Sequence, residues 1–392
     1  MIKREISEIV FNSANKYPVI SITGPRQSGK TTLAKMCFPE YSYVSLENPD
    51  LKEFAITDPK RFLKNFNKFV IIDEAQKVPH LFSYIQTVVD ESKIMGQFIL
   101  TGSQNFLLSS NISQSLSGRA RIIKLLPFSI GEIKNNFNIK DIDSLIFTGC
   151  YPPIYDRNIE PEIWFADYIE TYIERDVRNI KNIQNLILFQ KFLKLCAARV
   201  GQLLNLNSIA SEVGISHNTA RDWLTILEAS YIVFTLQPYF ENFGKRIVKQ
   251  PKLYFFDTGL VCALLGIENP SQLSLHYLRG NIFENFIISE YLKSRFNSGK
   301  KNNSFFWRDR YKNEIDLLIH KGNKLIPVEI KSGETINESF FKNLKKWEKI
   351  SNLKNDKYLI YGGDMEFNYG DIKVISWKNI DEFFKKINMD KI

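Results

Sequence analysis

Short apolar runs alternate with amphipathic stretches over the first third of the chain. Pro18-Val19-Ile20-Ser21-Ile22, Lys68-Phe69-Val70-Ile71-Ile72 and Gln97-Phe98-Ile99-Leu100 are the clearest of them. Runs this short and this continuously apolar predict strands buried on both faces, in a parallel sheet whose connections are helical. From Pro127 to about Arg199 the spacing turns helical, as in Trp164-Phe165-Ala166-Asp167-Tyr168-Ile169-Glu170-Thr171-Tyr172-Ile173, after a turn at Gly149-Cys150-Tyr151-Pro152-Pro153. A helical lid or connector is expected there. Residues 203–256 then give a helix over 207–213, a turn at Gly214, a helix over 216–229 capped by Ser216, and strands over 231–236 and 252–256. A basic stretch with Lys245, Arg246 and Lys249 separates the two strands, which is the order of a winged helix-turn-helix. The last segment predicts a helix over 282–295, strands at 304–307, 314–320 and 324–331, a helix over 338–350 and a strand at 357–361. The expected fold class is α/β: a parallel-sheet unit at 1–126, a lid or connector at 127–199, a winged unit at 200–275 and a second α/β unit at 276–392.

Composition changes this picture little. At 392 residues the chain exceeds what one core organises, and 44% hydrophobic with 24% charged residues is ordinary for a globular protein. The net charge of +9 makes an anionic partner, nucleic acid first, an expectation. Cys37, Cys150, Cys196 and Cys262 form no C-x-x-C pair, so neither a zinc site nor a disulfide framework is indicated and a reducing, cytoplasmic setting fits. The segment Met1-Ile2-Lys3-Arg4-Glu5 lacks the apolar core of a signal peptide, and no run approaches the roughly 20 apolar residues of a membrane span.

The chemistry begins at Gly24-Pro25-Arg26-Gln27-Ser28-Gly29-Lys30-Thr31, which follows an apolar strand and opens a helix through Thr32. That context is the one a phosphate loop requires: glycines let backbone N–H groups face phosphates, and the helix N-terminus adds its positive end. Lys30 is placed to reach the β- and γ-phosphates of ATP and Thr31 to ligate Mg²⁺. Asp73 and Glu74 close the strand 68–72, where open α/β sheets bind ligands; Asp73 is expected to hold Mg²⁺ and Glu74 to orient or deprotonate a water. Ser103 ends the strand after Gln97 and is a candidate contact for the γ-phosphate or the water. Arg119, and less so Arg121, could stabilise charge on the transferred phosphoryl group, in cis or across a subunit interface in a homo-oligomer, or could form a surface salt bridge.

These residues, with Ile72-Asp73-Glu74-Ala75-Gln76, Leu100-Thr101-Gly102-Ser103, Leu116-Ser117-Gly118-Arg119 and Tyr172-Ile173-Glu174-Arg175-Asp176, resemble the prokaryotic AAA-type ATP-binding proteins that carry a C-terminal domain of unknown function. The resemblance covers nearly the whole chain. One departure is Cys150, where the family's pattern has a second glycine before Tyr151-Pro152.

Acidic residues supply the second candidate site. Glu284 lies on the helix over 282–295, Asp316 in the strand 314–320, and Glu329-Ile330-Lys331 ends the next strand after the short turn Lys321-Gly322-Asn323. Strand alternation brings Asp316, Glu329 and Lys331 to one face of the hairpin. The set is similar to the PD-(D/E)XK nuclease superfamily, which implies that Asp316 and Glu329 hold Mg²⁺, with Glu284 a further catalytic acid and Lys331 activating water or stabilising charge. That fold also serves without cleavage. In the winged segment Ser216, His217, Asn218, Thr219 and Arg221 open a helix that would face DNA, or the module serves protein contacts instead. The combined expectation is an ATP-hydrolysing, DNA-directed protein with a nuclease-like end; the alternative is an ATP-dependent switch whose end does not cleave.

Overall fold

A computed structural model describes residues 2–66, 68–103, 112, 115–173, 185–239, 248–353 and 355–389, with no side-chain description for 172 and 173. Five parallel strands form the first sheet: β1 (Val19–Thr23), β2 (Ser42–Ser45), β3 (Val70–Asp73), β4 (Phe98–Gly102) and β5 (Ala120–Lys124). Their order is β2-β3-β4-β1-β5, so β4 lies between the strand that feeds the glycine loop and the strand that ends in Asp73. Both faces of this sheet are buried. Val19, Val70, Ile72, Phe98 and Leu100 pack on one side, and Ile20, Ile22, Ile71, Ile99 and Ile123 on the other. This explains the unbroken apolar runs, since alternation would leave one face wet.

The middle of the chain carries two helices followed by a pair of short strands. Helices Leu206–Val213 and His217–Ala229 are joined through Gly214 in the left-handed conformation, and Ser216 caps the second by accepting from the Thr219 N–H at 3.1 Å. Strands β6 (Val233–Leu236) and β7 (Lys252–Phe255) pair antiparallel. Lys245 and Arg246, expected between them, lie outside the described residues. The helix expected to start at Trp164 begins at Pro161, where a proline fits the first turn, and passes into a π-helical turn over Ile169–Ile173.

Helix Arg279–Asn297 leads into a six-stranded sheet of β8 (Ser304–Arg308), β9 (Glu314–Lys321), β10 (Lys324–Lys331), β11 (Lys357–Tyr361), β12 (Phe367–Tyr369) and β13 (Ile372–Ser376). The order is β12-β13-β11-β10-β9-β8; β9 and β10 form the expected hairpin, and β10 pairs parallel with β11 after helix Lys342–Ser351. One continuous buried cluster runs from Leu126 through Phe165, Phe192, Leu227 and Phe286 to Ile387. The three segments expected after residue 126 therefore share one buried cluster, and the C-terminal sheet packs a second around Trp307, Leu344 and Trp347. Among the described residues no helix is long and apolar enough to cross a membrane.

Candidate nucleotide site and C-terminal acidic cluster

Thr23 ends β1 and the loop Gly24–Gly29 turns over the start of helix Lys30–Cys37. A side chain at Gly24 would put Cβ 2.0 Å from the Leu125 carbonyl oxygen, so the loop passes too close to its neighbour for any residue but glycine. Gln27 and Gly29 have φ of 64° and 88°, which curls the backbone between Pro25 and the helix. The Lys30 ammonium lies within this curl, donating to the carbonyls of Gly24 and Pro25 at 3.1 and 2.7 Å. Arg26, Gln27 and Ser28 complete the loop, and Ser28 is buried, its hydroxyl donating to Pro25 at 2.9 Å. Thr32 lines a cavity of about 310 Å³ beside the loop, together with Leu33, Met36, Phe128 and Pro153.

The acidic end of β3 meets this loop. Thr31 donates to Asp73 Oδ1 at 2.9 Å, Tyr43 donates to Asp73 Oδ2 at 2.9 Å, and the Thr101 hydroxyl also reaches Oδ1. Burial, then the Asp73 charge, pushes the Tyr43 hydroxyl up to about 12, so tyrosine remains the donor. Glu74 sits in the left-handed region at φ 54°, and its Oε2 accepts from Gln76 and, at 3.4 Å, from Ser103. A non-glycine residue held in that conformation at a strand end fits a functional position.

Arg119 does not reach this site within the chain. Ala120 pairs with Val19 at the start of β1, whereas the loop follows its last residue, Thr23. Arg119 therefore lies at the opposite edge of the sheet, about 15 Å away at roughly 3.3 Å per residue. It makes a two-pronged pair with Asp90, at 2.5 and 2.8 Å. The expected role in cis is thus corrected by strand register. Arg121, two residues on, donates to the Gly299 carbonyl instead, at 2.7 Å.

The second cluster assembles as the hairpin pattern required. Lys331 Nζ lies 2.6 Å from Glu329 Oε1 and 3.7 Å from Asp316 Oδ2, and Asp316 accepts from the Ile330 N–H at 2.8 Å. Asn343 donates to Glu329 Oε1 at 2.9 Å, while Glu329 Oε2 is buried with no hydrogen-bond partner. Burial first, then the charge of Asp316, pushes the Glu329 carboxyl up to about 8. Glu284 lies near enough to Asp316 and Lys331 to feel their charges, and it is held by Lys252, which donates to its Oε1 at 2.9 Å, and by Tyr254, which shares the same oxygen. Lys252 also pairs with Glu314 at 2.5 Å. Burial pushes Glu284 up to about 7 against the opposing pull of Lys252. Among the described residues no group of three acidic, histidine or cysteine side chains is placed to hold an ion, and the Lys331 ammonium stands between Asp316 and Glu329.

Comparison with known proteins separates these two sites. Residues 16–134 match a family model described as "AAA domain". The N-terminal unit, with its phosphate loop, is similar to AAA domains. Residues 139–271 and 279–380 match two further models, each described as a domain of unknown function, DUF8612 and DUF4143. An uncharacterized protein of Mycobacterium tuberculosis is 29% identical over 338 residues, which cover 85% of this chain and 74% of that protein. An uncharacterized protein of Methanocaldococcus jannaschii is 26% identical, covering 96% of this chain and 85% of its own. A Walker-type ATPase of Pyrococcus abyssi aligns with a TM-score of 0.47 at 16% identity, over 66% of this chain and 94% of that one.

Around the AAA domain the structure adds residues that sequence reading missed. Thr101 and Tyr43 clamp Asp73, and only the polar end of β4 hinted at the first of them. Arg4 is buried and donates to the carbonyls of Ser28 and Leu126 at 2.8 and 2.7 Å and to Glu132 at 2.9 Å, joining the phosphate loop to the lid. Tyr231, from the end of helix His217–Ala229, places its hydroxyl 2.9 Å from that of Thr23, beside Gly24. Ser216, His217, Asn218 and Arg221 are exposed and Thr219 is half-buried; Arg221 donates to Asn218 at 3.1 Å.

Proposed function

We propose that the protein binds ATP with Mg²⁺ at the phosphate loop and hydrolyses it, and that it acts on DNA. The observation carrying this reading is the meeting of Lys30, Thr31, Asp73, Thr101, Glu74 and Ser103 at one edge of three adjacent parallel strands. Thr31 and Asp73 fit a cation that accompanies ATP, because a hydroxyl and a carboxylate already converge there. When bound, that ion offsets charge on the triphosphate. Backbone N–H groups of the loop and the Lys30 ammonium hold the phosphates, and Glu74, oriented by Gln76 and Ser103, accepts a proton from the attacking water. The cavity lined by Leu33, Met36 and Phe128 suits an apolar nucleobase face. Arg119 joins this chemistry only if a second copy brings it to the site, so the homo-oligomer belongs to the same proposal.

Measured ATP hydrolysis tests the first half: Lys30→Ala is expected to abolish it, and Glu74→Gln to abolish it while retaining ATP binding. Wild-type hydrolysis by Lys30→Ala refutes the proposal. The DNA half is supported by the net charge of +9 and the exposed start of helix His217–Ala229, read as the second helix of a winged unit. Salt-dependent binding to duplex DNA that weakens with Arg221→Ala tests it.

For the C-terminal unit, a second reading is favoured by Lys252, which neutralises Glu284 from outside the sheet. The nuclease-like reading uses Glu284, Asp316, Glu329 and Lys331 for Mg²⁺-dependent cleavage. The switch reading makes the same unit a non-cleaving platform whose contacts follow the ATP state. Cleavage of DNA or RNA with Mg²⁺ or Mn²⁺ that is lost in Glu329→Ala and Lys331→Ala decides for the first. Salt-dependent binding without cleavage decides for the second.

A further inference from the structure

The edge strand β5 of the AAA sheet meets the end of helix Arg279–Asn297 and the residues after it across an open groove of about 450 Å³. Four cations line it, Arg121 and Lys124 from β5 and Lys300 and Lys301 from the other side, and no carboxylate does. Two of these cations and a neighbouring arginine are held by neutral oxygens. Arg121 donates to the Gly299 carbonyl at 2.7 Å, Lys300 to the Asn388 carbonyl, and neighbouring Arg295 to the Lys301 carbonyl at 2.7 Å. Gly299, at φ 68°, makes the turn that presents its carbonyl to Arg121. Among the described residues none of these five cations is in an ion pair with a carboxylate, which sets them apart from Lys252, Lys331 and Lys357 elsewhere in the chain. Partial desolvation lowers the Lys124 ammonium, and partial desolvation together with the charges of Arg295 and Lys321 lowers that of Lys300. Uncompensated positive charge of this kind is relieved by an anion.

We propose that this groove is a nucleic-acid contact, taking backbone phosphates across the seam between the AAA sheet and the C-terminal unit. The inference rests on the DNA reading above and gives it a contact face apart from helix His217–Ala229. The groove is open, and Lys124, Lys300 and Lys301 are exposed, which suits successive phosphates along a strand. Lys124 Nζ stands 5.1 Å from the Phe296 ring centroid, so a lysine covers the one aromatic ring of the groove. The contact is therefore to phosphate and not to base, and is indifferent to sequence. A bound strand would touch β5 and the helix that carries Glu284 at once.

The test is fluorescence anisotropy of the full chain with a labelled duplex and a labelled single strand, titrated over salt. In Lys124→Gln/Lys300→Gln/Lys301→Gln the slope of log affinity against log salt is expected to fall by about 2 to 3, and low-salt affinity by about tenfold or more, because each lost phosphate contact removes roughly 0.9 from the slope. If melting shows that the triple variant misfolds, Lys124→Gln/Lys301→Gln replaces it, with a slope change of about 2. Wild-type slope and affinity in a folded variant overturn the groove and leave the DNA reading standing. A wild type that binds neither DNA at low salt overturns both. Weakened binding of pyrophosphate with unaltered DNA binding also overturns the groove, by showing a small-anion site.

Discussion

Replacing Glu329 by glutamine should stabilise this protein at neutral and alkaline pH. Glu329 is fully buried, one carboxylate oxygen lacks a partner, and its carboxyl is pushed up to about 8. In the unfolded chain the same group titrates near 4.3. Between those values the folded state holds a proton that the unfolded state has released, so this group's contribution to stability is intact below about pH 4 and is lost as pH rises through 8. The loss is about 4 kcal/mol by pH 7 and approaches about 5 kcal/mol above pH 8. Glu284, pushed up to about 7, adds a loss of the same sign in the lower part of that window. Glutamine keeps the carbonyl that accepts from Asn343 and Lys331, and Lys331 is part-exposed and solvated. Its added N–H₂ group has no partner, which costs about 1–2 kcal/mol. Glu329→Gln is therefore expected to be about 2–3 kcal/mol more stable than wild type at pH 8 and equal or slightly weaker near pH 5. Thermal melting from about pH 5 to 8.5 checks this: the wild-type midpoint should fall more steeply with pH than the variant's. A variant that melts no higher at pH 8, or whose midpoint falls in parallel with wild type, refutes the reasoning.

Gly24→Ala should lose nucleotide binding and melt lower, since its Cβ would sit 2.0 Å from the Leu125 oxygen; equilibrium binding of a labelled ATP analogue reads this directly. Arg4→Met should cost about 3 kcal/mol by leaving buried Glu132 without its cation, and should weaken ATP binding through the freed Ser28 carbonyl. Arg4→Lys should not restore either, because one ammonium cannot span the three acceptors; denaturation and nucleotide titration would expose the error. Lys252→Met should cost about 3–5 kcal/mol near pH 8, where Glu284 and Glu314 are left charged, and less near pH 5, where Glu284 takes up a proton. Equal destabilisation at both pH values would show that Lys252 acts through packing and not charge.

The parts of this protein that sequence made legible are those whose chemistry is local. Gly24 to Thr31 declares its own strand, turn and helix, and Asp316, Glu329 and Lys331 meet because a two-residue turn fixes a hairpin register. Contacts between distant segments were not legible. Nothing near Lys252 or Tyr254 announces Glu284, about thirty residues on, and nothing near Arg4 announces Glu132. Arg119 misled because its distance from Ser103 along the chain says nothing about which end of β5 it occupies; only the pairing of Ala120 with Val19 does. Thr101 was passed over for Ser103 because either could end the strand, and the Asp73 carboxylate selects the residue still inside it.

Three of the missed residues, Tyr231, Lys252 and Tyr254, have a common origin, and it bears on how the two sites are joined. Tyr231 and Lys252 both belong to the β6–β7 unit of the middle segment. Tyr231 lies two residues before β6, with its hydroxyl on Thr23 at the edge of the phosphate loop, and Lys252 and Tyr254 on β7 hold Glu284. The unit is also tied into the C-terminal sheet: Phe306 of β8 donates to the Gln237 carbonyl at 3.1 Å, and Tyr239 donates back to Phe306 at 2.8 Å. The β6–β7 unit therefore touches the nucleotide loop through the buried Tyr231 hydroxyl and the acidic cluster through the buried Lys252 ammonium. Neither contact tolerates loss without leaving a buried polar group unpaired, at about 1–3 kcal/mol for the hydroxyl and more for the charge. A displacement of the phosphate loop edge at Thr23 is thus resisted by the same unit that neutralises Glu284, which ties the AAA domain's chemistry to the C-terminal carboxylates through one hydrogen bond and one ion pair.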